Sequence, residues 1–234
     1  MRLVAWNTNC ENRTKRSFAD ILALTAPLHP DVLVISGAPR VVDGALWHWE
    51  DDAAATRLAL WVRPDWSARV RLSDMSVPHS AVLEIDAPLR FSVIGIYAET
   101  RADGLTYAKI LQQAVVAYGD AMAGPRTMLV GDLNSSTRVS GQERSHPKFV
   151  SLLAEPGLTS LLHHQEDVAH GEERTGTFRR GDKEWCIDYA FVSADLLSSA
   201  TIAVPRHAMW RNASDHLPLI IDIPDACLSD SQRL

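Results

Sequence analysis

The sequence has few cysteines, no long apolar run and no excess of basic residues, and each shortage narrows what it can do. Cys10, Cys186 and Cys227 are its only cysteines. An odd number with no close pairing indicates neither a disulfide framework nor a zinc knuckle, so a reducing, cytoplasmic setting is expected. No apolar stretch approaches the roughly 18 to 20 residues that span a bilayer. A first strand beginning at Arg2 or Leu3 also leaves no room for a signal peptide. No membrane partner is expected, and no segment calls for an obligate protein partner. Formal net charge is -6 and the pI is about 5.8. That excludes a histone-like protein whose affinity rests on neutralising many phosphates, although a local basic groove stays compatible with it.

What is present is a substantial apolar fraction, 46% of 234 residues, enough to bury the core of one domain spanning residues 1–234. Arg2 to Trp6 reads as a short buried strand ending at Asn7. Thr14 is placed to cap a helix whose apolar stripe is Phe18, Ile21, Leu22 and Leu28, and Pro30-Asp31 stops it. Val32 to Ile35 is a second strand, so the chain opens as strand, helix, strand. Strands are then expected at Arg57–Val62, Ala68–Leu72, Ala81–Asp86 and Phe91–Tyr97. An amphipathic helix carrying Ala108, Leu111, Val115, Tyr118 and Met122 leads to a strand from Thr127. Residues 137–147 read as a loop, Phe149–Leu153 as a short helix, 165–175 as a charged loop, and Trp185–Val192 as one strand. A short strand is expected near Ile202, and a last one ends at Ile223.

The most informative stretch is Thr127-Met128-Leu129-Val130-Gly131-Asp132-Leu133-Asn134. Asp132 and Asn134 stand two positions apart, which in extended chain puts both side chains on one side just past a strand end, where α/β sheets gather catalytic groups. The same four residues, Gly-Asp-Leu-Asn, also suit a plain turn. Polar residues recur at other expected strand boundaries: Asn7, Asp188, and Asp215 with His216. One shared site explains these clusters more economically than separate accidents do, because buried polar groups need partners.

With these pieces in hand, the sequence resembles the endonuclease/exonuclease/phosphatase superfamily of DNase I-like proteins. The matching segments are Ala5-Trp6-Asn7-Thr8-Asn9, Gly95-Ile96-Tyr97-Ala98, Gly131-Asp132-Leu133-Asn134, Cys186–Ser193 and Ser214–Leu219, in the family's order. The resemblance implies an α/β (α+β) fold, a four-layer α/β/β/α sandwich with a Mg²⁺ or Mn²⁺ site at one end. It also implies roles. Asn7 would help hold the metal or orient a metal-bound carboxylate, Asp215 would help hold the metal directly or through water, Tyr97 would touch the phosphate, and Asp132 with Asn134 beside it would orient or deprotonate water. Asp188 would orient His216, the donor to the phosphate. Tyr97 also fits half-buried packing, and Asp215-His216 also fits a loop cap.

One position departs from the family pattern. The strand at Asp31–Ile35 is normally followed by a metal-binding glutamate, and Gly37 stands in its place. Mg²⁺ needs only one or two carboxylates, so weakened binding is expected, with Glu11, Asp43, Glu50 and Glu99 as loop carboxylates able to substitute. For substrate, Asn9, Arg179 and Trp210 are candidates, within two basic-aromatic patches: Arg174, Arg179, Arg180 and Lys183 near Phe178 and Trp185, and Arg206 and Arg211 around Trp210. The expected function is metal-dependent hydrolysis of a phosphodiester, with nucleic acid among the candidate substrates. The alternatives are a phosphomonoesterase of a small metabolite and a phosphate-binding protein that lost catalysis at Gly37.

Overall fold

Along the first strand, β1 (Arg2–Asn7), Leu3 and Ala5 join one apolar cluster while Val4 and Trp6 join another. A strand buried on both faces has to lie inside a layered structure. The computed structural model, which describes residues 1–10, 16–40, 44–48, 58–87, 90–100 and 104–224, supplies those layers. Helix α1 (Phe18–Thr25) and a 3₁₀ turn at Ala26–Leu28 return the chain to β2 (Val32–Ser36), parallel to β1. Next come β3 (Trp47–His48) and β4 (Leu58–Val62), then the antiparallel run β5 (Ser67–Leu72), β6 (Ser80–Asp86) and β7 (Arg90–Tyr97). Helix α2 (Tyr107–Met122) crosses to β8 (Thr127–Asp132), parallel to β7. The remainder is α3 (Ser145–Ala154), β9 (Leu158–Ser160), α4 (Leu161–Glu166), the hairpin β10 (Phe178–Arg180) and β11 (Lys183–Trp185), β12 (Asp188–Ser193), α5 (Ala194–Leu197), β13 (Thr201–Ala203), α6 (Ala208–Ala213) and β14 (Leu219–Asp222).

The strands form two six-stranded sheets, ordered β13-β14-β1-β2-β4-β3 and β5-β6-β7-β8-β12-β9, with the β10–β11 hairpin separate. Leu3, Ala5, Val34, Leu58 and Leu60 of the first sheet pack into the core cluster that contains Val82, Val93, Ile94 and Leu129 of the second. The sheets approach closely at Gly95, where a Cβ would lie 2.7 Å from Leu60 Cδ2. On the outside of the first sheet, Phe18 and Ile21 of α1 and Trp210 of α6 cover Val4, Trp6 and Leu33. Ile110, Leu111, Ala114 and Tyr118 of α2 join the second sheet's core. The fold is thus the expected four-layer α/β/β/α sandwich. No helix among the described residues is long and apolar enough to cross a membrane.

Local boundaries differ from expectation for identifiable reasons. Helix α1 starts from Ser17, whose Oγ accepts from Asp20 N at 3.2 Å while Asp20 Oδ2 accepts from Ser17 N at 2.8 Å, a reciprocal capping box. Thr14 and Arg57 lie outside the described residues. Helix α3 begins at Ser145 rather than Phe149, and α4 runs into the stretch read as a charged loop. The strand expected at Trp185–Val192 is two strands, because Cys186 and Ile187 break between β11 and β12.

Candidate functional site

The polar residues gather where the parallel strand pairs end. Asn7 closes β1 and Asp132 closes β8. Asp188 opens β12 directly opposite Asp132, and Tyr97 of β7 is paired with Asp132 on the other side. The two sheets are joined there by a hydrogen bond, Asn7 Nδ2 donating to Asp132 Oδ2 at 2.7 Å. Asp132 Oδ1 accepts from Asn134 N at 2.8 Å. Asn134 holds a left-handed backbone, φ 46°, which Asn tolerates better than most residues, and its Nδ2 donates to Ala98 O at 2.8 Å. The Asp-x-Asn spacing therefore makes a tight turn that is also a support for the carboxylate. The turn reading is the one that describes the backbone: the strand ends at Asp132 and Asn134 is not extended, so the two side chains come together through the turn and not through the alternation of a strand.

Across the site, His216 Nδ1 meets Asp188 Oδ2 at 2.9 Å, and its Nε2 stands 3.9 Å from Asp132 Oδ2. Burial alone would lower the His216 pKa, but the charge and hydrogen bond of Asp188 outweigh it and raise the group to about 9. Asp132 is raised to about 7, first by burial and then by the like charge of Asp188, against the opposing pull of His216 and Asn7. Near neutral pH an imidazolium thus faces a carboxylate poised to take a proton.

Several supporting residues were missed or only glimpsed in sequence. Thr177 Oγ1 donates to Asp188 Oδ2 at 2.6 Å and accepts from both Ile187 N and Asp188 N at 3.1 Å. Ser214 Oγ donates to Asn7 O at 2.7 Å and accepts from His216 N at 3.1 Å, tying the two strand ends together. The Phe178 ring lies 4.7 Å from the His216 ring. Ser214 lay inside the matching Ser214–Leu219 segment, whereas the support given by Thr177 and the ring contact of Phe178 were not read from the sequence.

Beside this group a cleft of about 770 Å³ is lined by Asn134, Arg138, Phe178, Arg180, Lys183 and Trp185, among others. Arg180, which shares a strand face with Phe178, lines it. Arg179 does not: its Nε donates to Gly181 O at 2.8 Å on the hairpin surface. Trp210 is corrected outright as a stacking platform, since it is 3% exposed and packs edge-on against Trp6 at 5.3 Å. Tyr97 is buried, its ring 5.8 Å from that of His79.

The metal question turns on the corner between β1 and β2. Asn9 Nδ2 donates to Asp215 Oδ1 and Oδ2 at 2.9 and 3.0 Å, and Asn7 Oδ1 accepts from Asn9 N at 2.9 Å. Gly37 abuts this turn with φ 56°, and a Cβ there would lie 2.6 Å from Asn7 Oδ1. Part of the room that a glutamate side chain would need is taken by the Asn7 amide. The remaining donors are one carboxylate, Asp215, with amide oxygens, a set that fits a hard divalent ion keeping most of its water. Asp132, Asp188 and His216 also offer ligand atoms within 4.8 Å of one another. Asp188 is engaged by Thr177 and His216, however, and a protonated His216 is no ligand. Glu99 sits 3.6 Å from His79 Nε2, while Glu11, Asp43 and Glu50 lie outside the described residues.

Comparison with known proteins follows from this geometry. Among solved structures, similar folds include the endonuclease domain of TRAS1, a telomere-specific non-LTR retrotransposon (TM-score 0.69, 15% identity, covering 95% of this chain and 97% of that one). They also include the 3′-5′ exonuclease NExo of Neisseria meningitidis (0.68, 18%, 95% and 99%) and an AP endonuclease of Archaeoglobus fulgidus (0.65, 15%, 95% and 99%). No curated protein sequence matches the chain. A family model described as endonuclease/exonuclease/phosphatase matches residues 4–216, from the first strand to His216, and the chain belongs to that family.

Proposed function

We propose that the protein is a divalent-metal-dependent phosphodiesterase that cleaves a P–O bond by in-line attack of water. The observation that carries this reading is the 3.9 Å separation of Asp132 Oδ2 and His216 Nε2. That distance is too long for a direct hydrogen bond and short enough for the attacking water and a nonbridging oxygen of the same phosphate to meet one group each. As water attacks phosphorus, its proton passes to Asp132. The imidazolium of His216 donates to a nonbridging oxygen on which charge accumulates, and the bond to the leaving oxygen breaks. Asn134 and Asn7 hold the Asp132 carboxylate, Asp188 holds the imidazole, and Tyr97, beside Asp132, contacts the phosphate. Asn7, Asn9 and Asp215 are the residues that would hold Mg²⁺ or Mn²⁺, whose charge stabilises the phosphate oxygens when bound.

The adjoining cleft favours an ester with a second substituent. Arg138, Arg180 and Lys183 line it together with Phe178 and Trp185, against the two acids Asp182 and Glu184; the cations and rings are suited to a phosphate backbone and a stacked base. Three of the similar solved structures are nucleases and another is a 3′ phosphatase bound to a product DNA hairpin, which supports a nucleic-acid phosphate ester as substrate. A second reading, phosphate binding without turnover, draws on the crowded corner at Gly37.

The test compares bis-para-nitrophenyl phosphate, para-nitrophenyl phosphate and a short oligonucleotide with Mg²⁺ or Mn²⁺. Diester turnover is expected, lowered about 10²- to 10⁴-fold in Asp132→Ala and about 10²- to 10³-fold in His216→Ala. Oligonucleotide binding without cleavage at saturating metal would establish the second reading instead. Cleavage of the monoester alone would make the enzyme a phosphomonoesterase.

A further inference from the structure

Away from the Asp132–His216 pair, a buried group of histidines lies on the other face of β12. Asp188 and Tyr189 point to opposite sides of that strand, and the His146, His163 and His170 rings lie 5.3, 6.0 and 5.9 Å from the Tyr189 ring. Each ring has a specific partner. His163 Nδ1 meets Ser160 Oγ at 2.7 Å, His146 Nδ1 meets Ser135 Oγ at 3.0 Å, and His146 Nε2 meets His170 Nδ1 at 3.0 Å. His163 Nε2 meets Glu173 Oε1 at 3.0 Å, and Gly171 N donates to the same oxygen at 2.8 Å. The other carboxylate oxygen, Glu173 Oε2, is buried with no hydrogen-bond partner among the described residues, on a side chain only 2% exposed. A buried carboxylate oxygen left empty is costly, and such an atom calls for a missing partner.

The chemistry of that partner follows from its neighbours. His163, His170 and Glu173 each offer a ligand atom, all within 4.8 Å of one another. We propose that His163, His170 and Glu173 form a second, structural metal site for Zn²⁺ or a similar borderline divalent ion. Two imidazoles and a carboxylate suit zinc better than Mg²⁺, which prefers oxygen alone. Ser160 and His146 engage Nδ1 of His163 and of His170, the outer-sphere bonds that ligating histidines use to fix their tautomer, and an ion would take His170 Nε2 and replace the hydrogen bond between His163 Nε2 and Glu173 Oε1. The His163 and His170 rings stack 3.6 Å apart at 17°, so ligation by both requires them to splay.

The site would brace the catalytic loops without touching the reaction. Ser135 follows Asn134, Thr137 Oγ1 donates to His170 O at 3.1 Å, and Glu173 lies four residues before Thr177, the support of Asp188. The test strips the full chain with a chelator, then titrates Zn²⁺ against a chromophoric competitor and records Tm. Wild type and Asp215→Asn are expected to take up one equivalent with a rise in Tm, since the ion binds the folded chain. His163→Ala and Glu173→Gln are expected to bind at least about tenfold more weakly, without that rise. Co²⁺ in place of Zn²⁺ should give the visible bands of a tetrahedral N/O site in wild type and lose them in Glu173→Gln, an isosteric change that keeps the fold if His163→Ala does not. No binding, affinity unchanged in Glu173→Gln, or binding lost in Asp215→Asn would overturn the site. Because the readouts are metal uptake and stability, failure here leaves the phosphodiesterase reading untouched.

Discussion

A carboxylic acid buried beside another carboxylate keeps its proton to higher pH, and an imidazole buried beside a carboxylate does the same, so Asp188 raises both of its neighbours. Asp132 must be ionised to accept a proton and His216 must be protonated to donate one. With Asp132 at about 7 and His216 at about 9, kcat/KM should rise through the first value and fall through the second, as apparent constants of the coupled pair. Asp188→Asn removes the common cause, so both limbs should move to lower pH, with the alkaline limb moving further because it also loses a hydrogen bond to the charge. A pH–rate profile of wild type and variant checks this, and an unmoved alkaline limb would remove His216 from the role of donor. Gly37→Glu would introduce the glutamate that the sequence resemblance places here, on a backbone and in a space that do not accommodate it. A left-handed backbone costs a non-glycine residue about 1–2 kcal/mol, and the new Cβ would crowd Asn7 Oδ1 at 2.6 Å. The variant should lose about 2 to 8 °C in Tm and fail to gain activity. A gain in turnover with unchanged Tm would mean that Asn7 gives way easily.

The hairpin β10–β11 and the residue before it join the two halves of the site. Thr177 N donates to Trp185 O at 2.8 Å, Leu217 N donates to Thr177 O at 2.7 Å, and Phe178 bridges to His216. One hydroxyl, that of Thr177, also ends the break at Cys186-Ile187 by accepting two backbone N–H groups. Thr177→Val keeps the shape and leaves those donors buried without a partner, a cost of about 1–3 kcal/mol. Reduced kcat with little change in KM is expected, together with a lower Tm, and Thr177→Ser should restore both. If Thr177→Val turned over like wild type, the hydroxyl would be ornamental to the site. This element also marks the limit of what the sequence made legible. The apolar runs at β1, β2, β8 and β12 declared themselves because each is buried on both faces. The split at Cys186-Ile187 did not, because those residues are as apolar as their neighbours and their backbone partners lie far away in the chain: Leu133 for Ile187 O, and Thr177 for Ile187 N. Trp210 misled for a related reason, since flanking arginines mark a surface while its ring turns inward to Trp6.

At the scale of the whole molecule, each sheet contributes one parallel strand–helix–strand unit, β1-α1-β2 and β7-α2-β8, and residues from both meet at Asn7 and Asp132. The order of the polar motifs along the chain therefore carried the architecture, whereas the distances between motifs on different sheets could come only from packing. Charge is distributed unevenly over this body. The chain as a whole carries -6, whereas the lining of the cleft beside Asn134 has three cations, Arg138, Arg180 and Lys183, against two acids, Asp182 and Glu184, the latter paired with Arg211 at 2.7 Å. A ligand thus meets a mixed surface with a slight cationic excess on an anionic particle, which suits a short single strand better than a long duplex lying across the surface. Three phosphate contacts to a single strand release counterions with a slope of about −2 in log K against log salt. Binding of a short oligonucleotide to Asp132→Ala, measured by anisotropy from low to moderate salt, should follow that slope, and Arg180→Ala should make it shallower by about 0.7. A slope steeper than about −4 would require a phosphate track well beyond the cleft and would turn the substrate assignment towards extended nucleic acid.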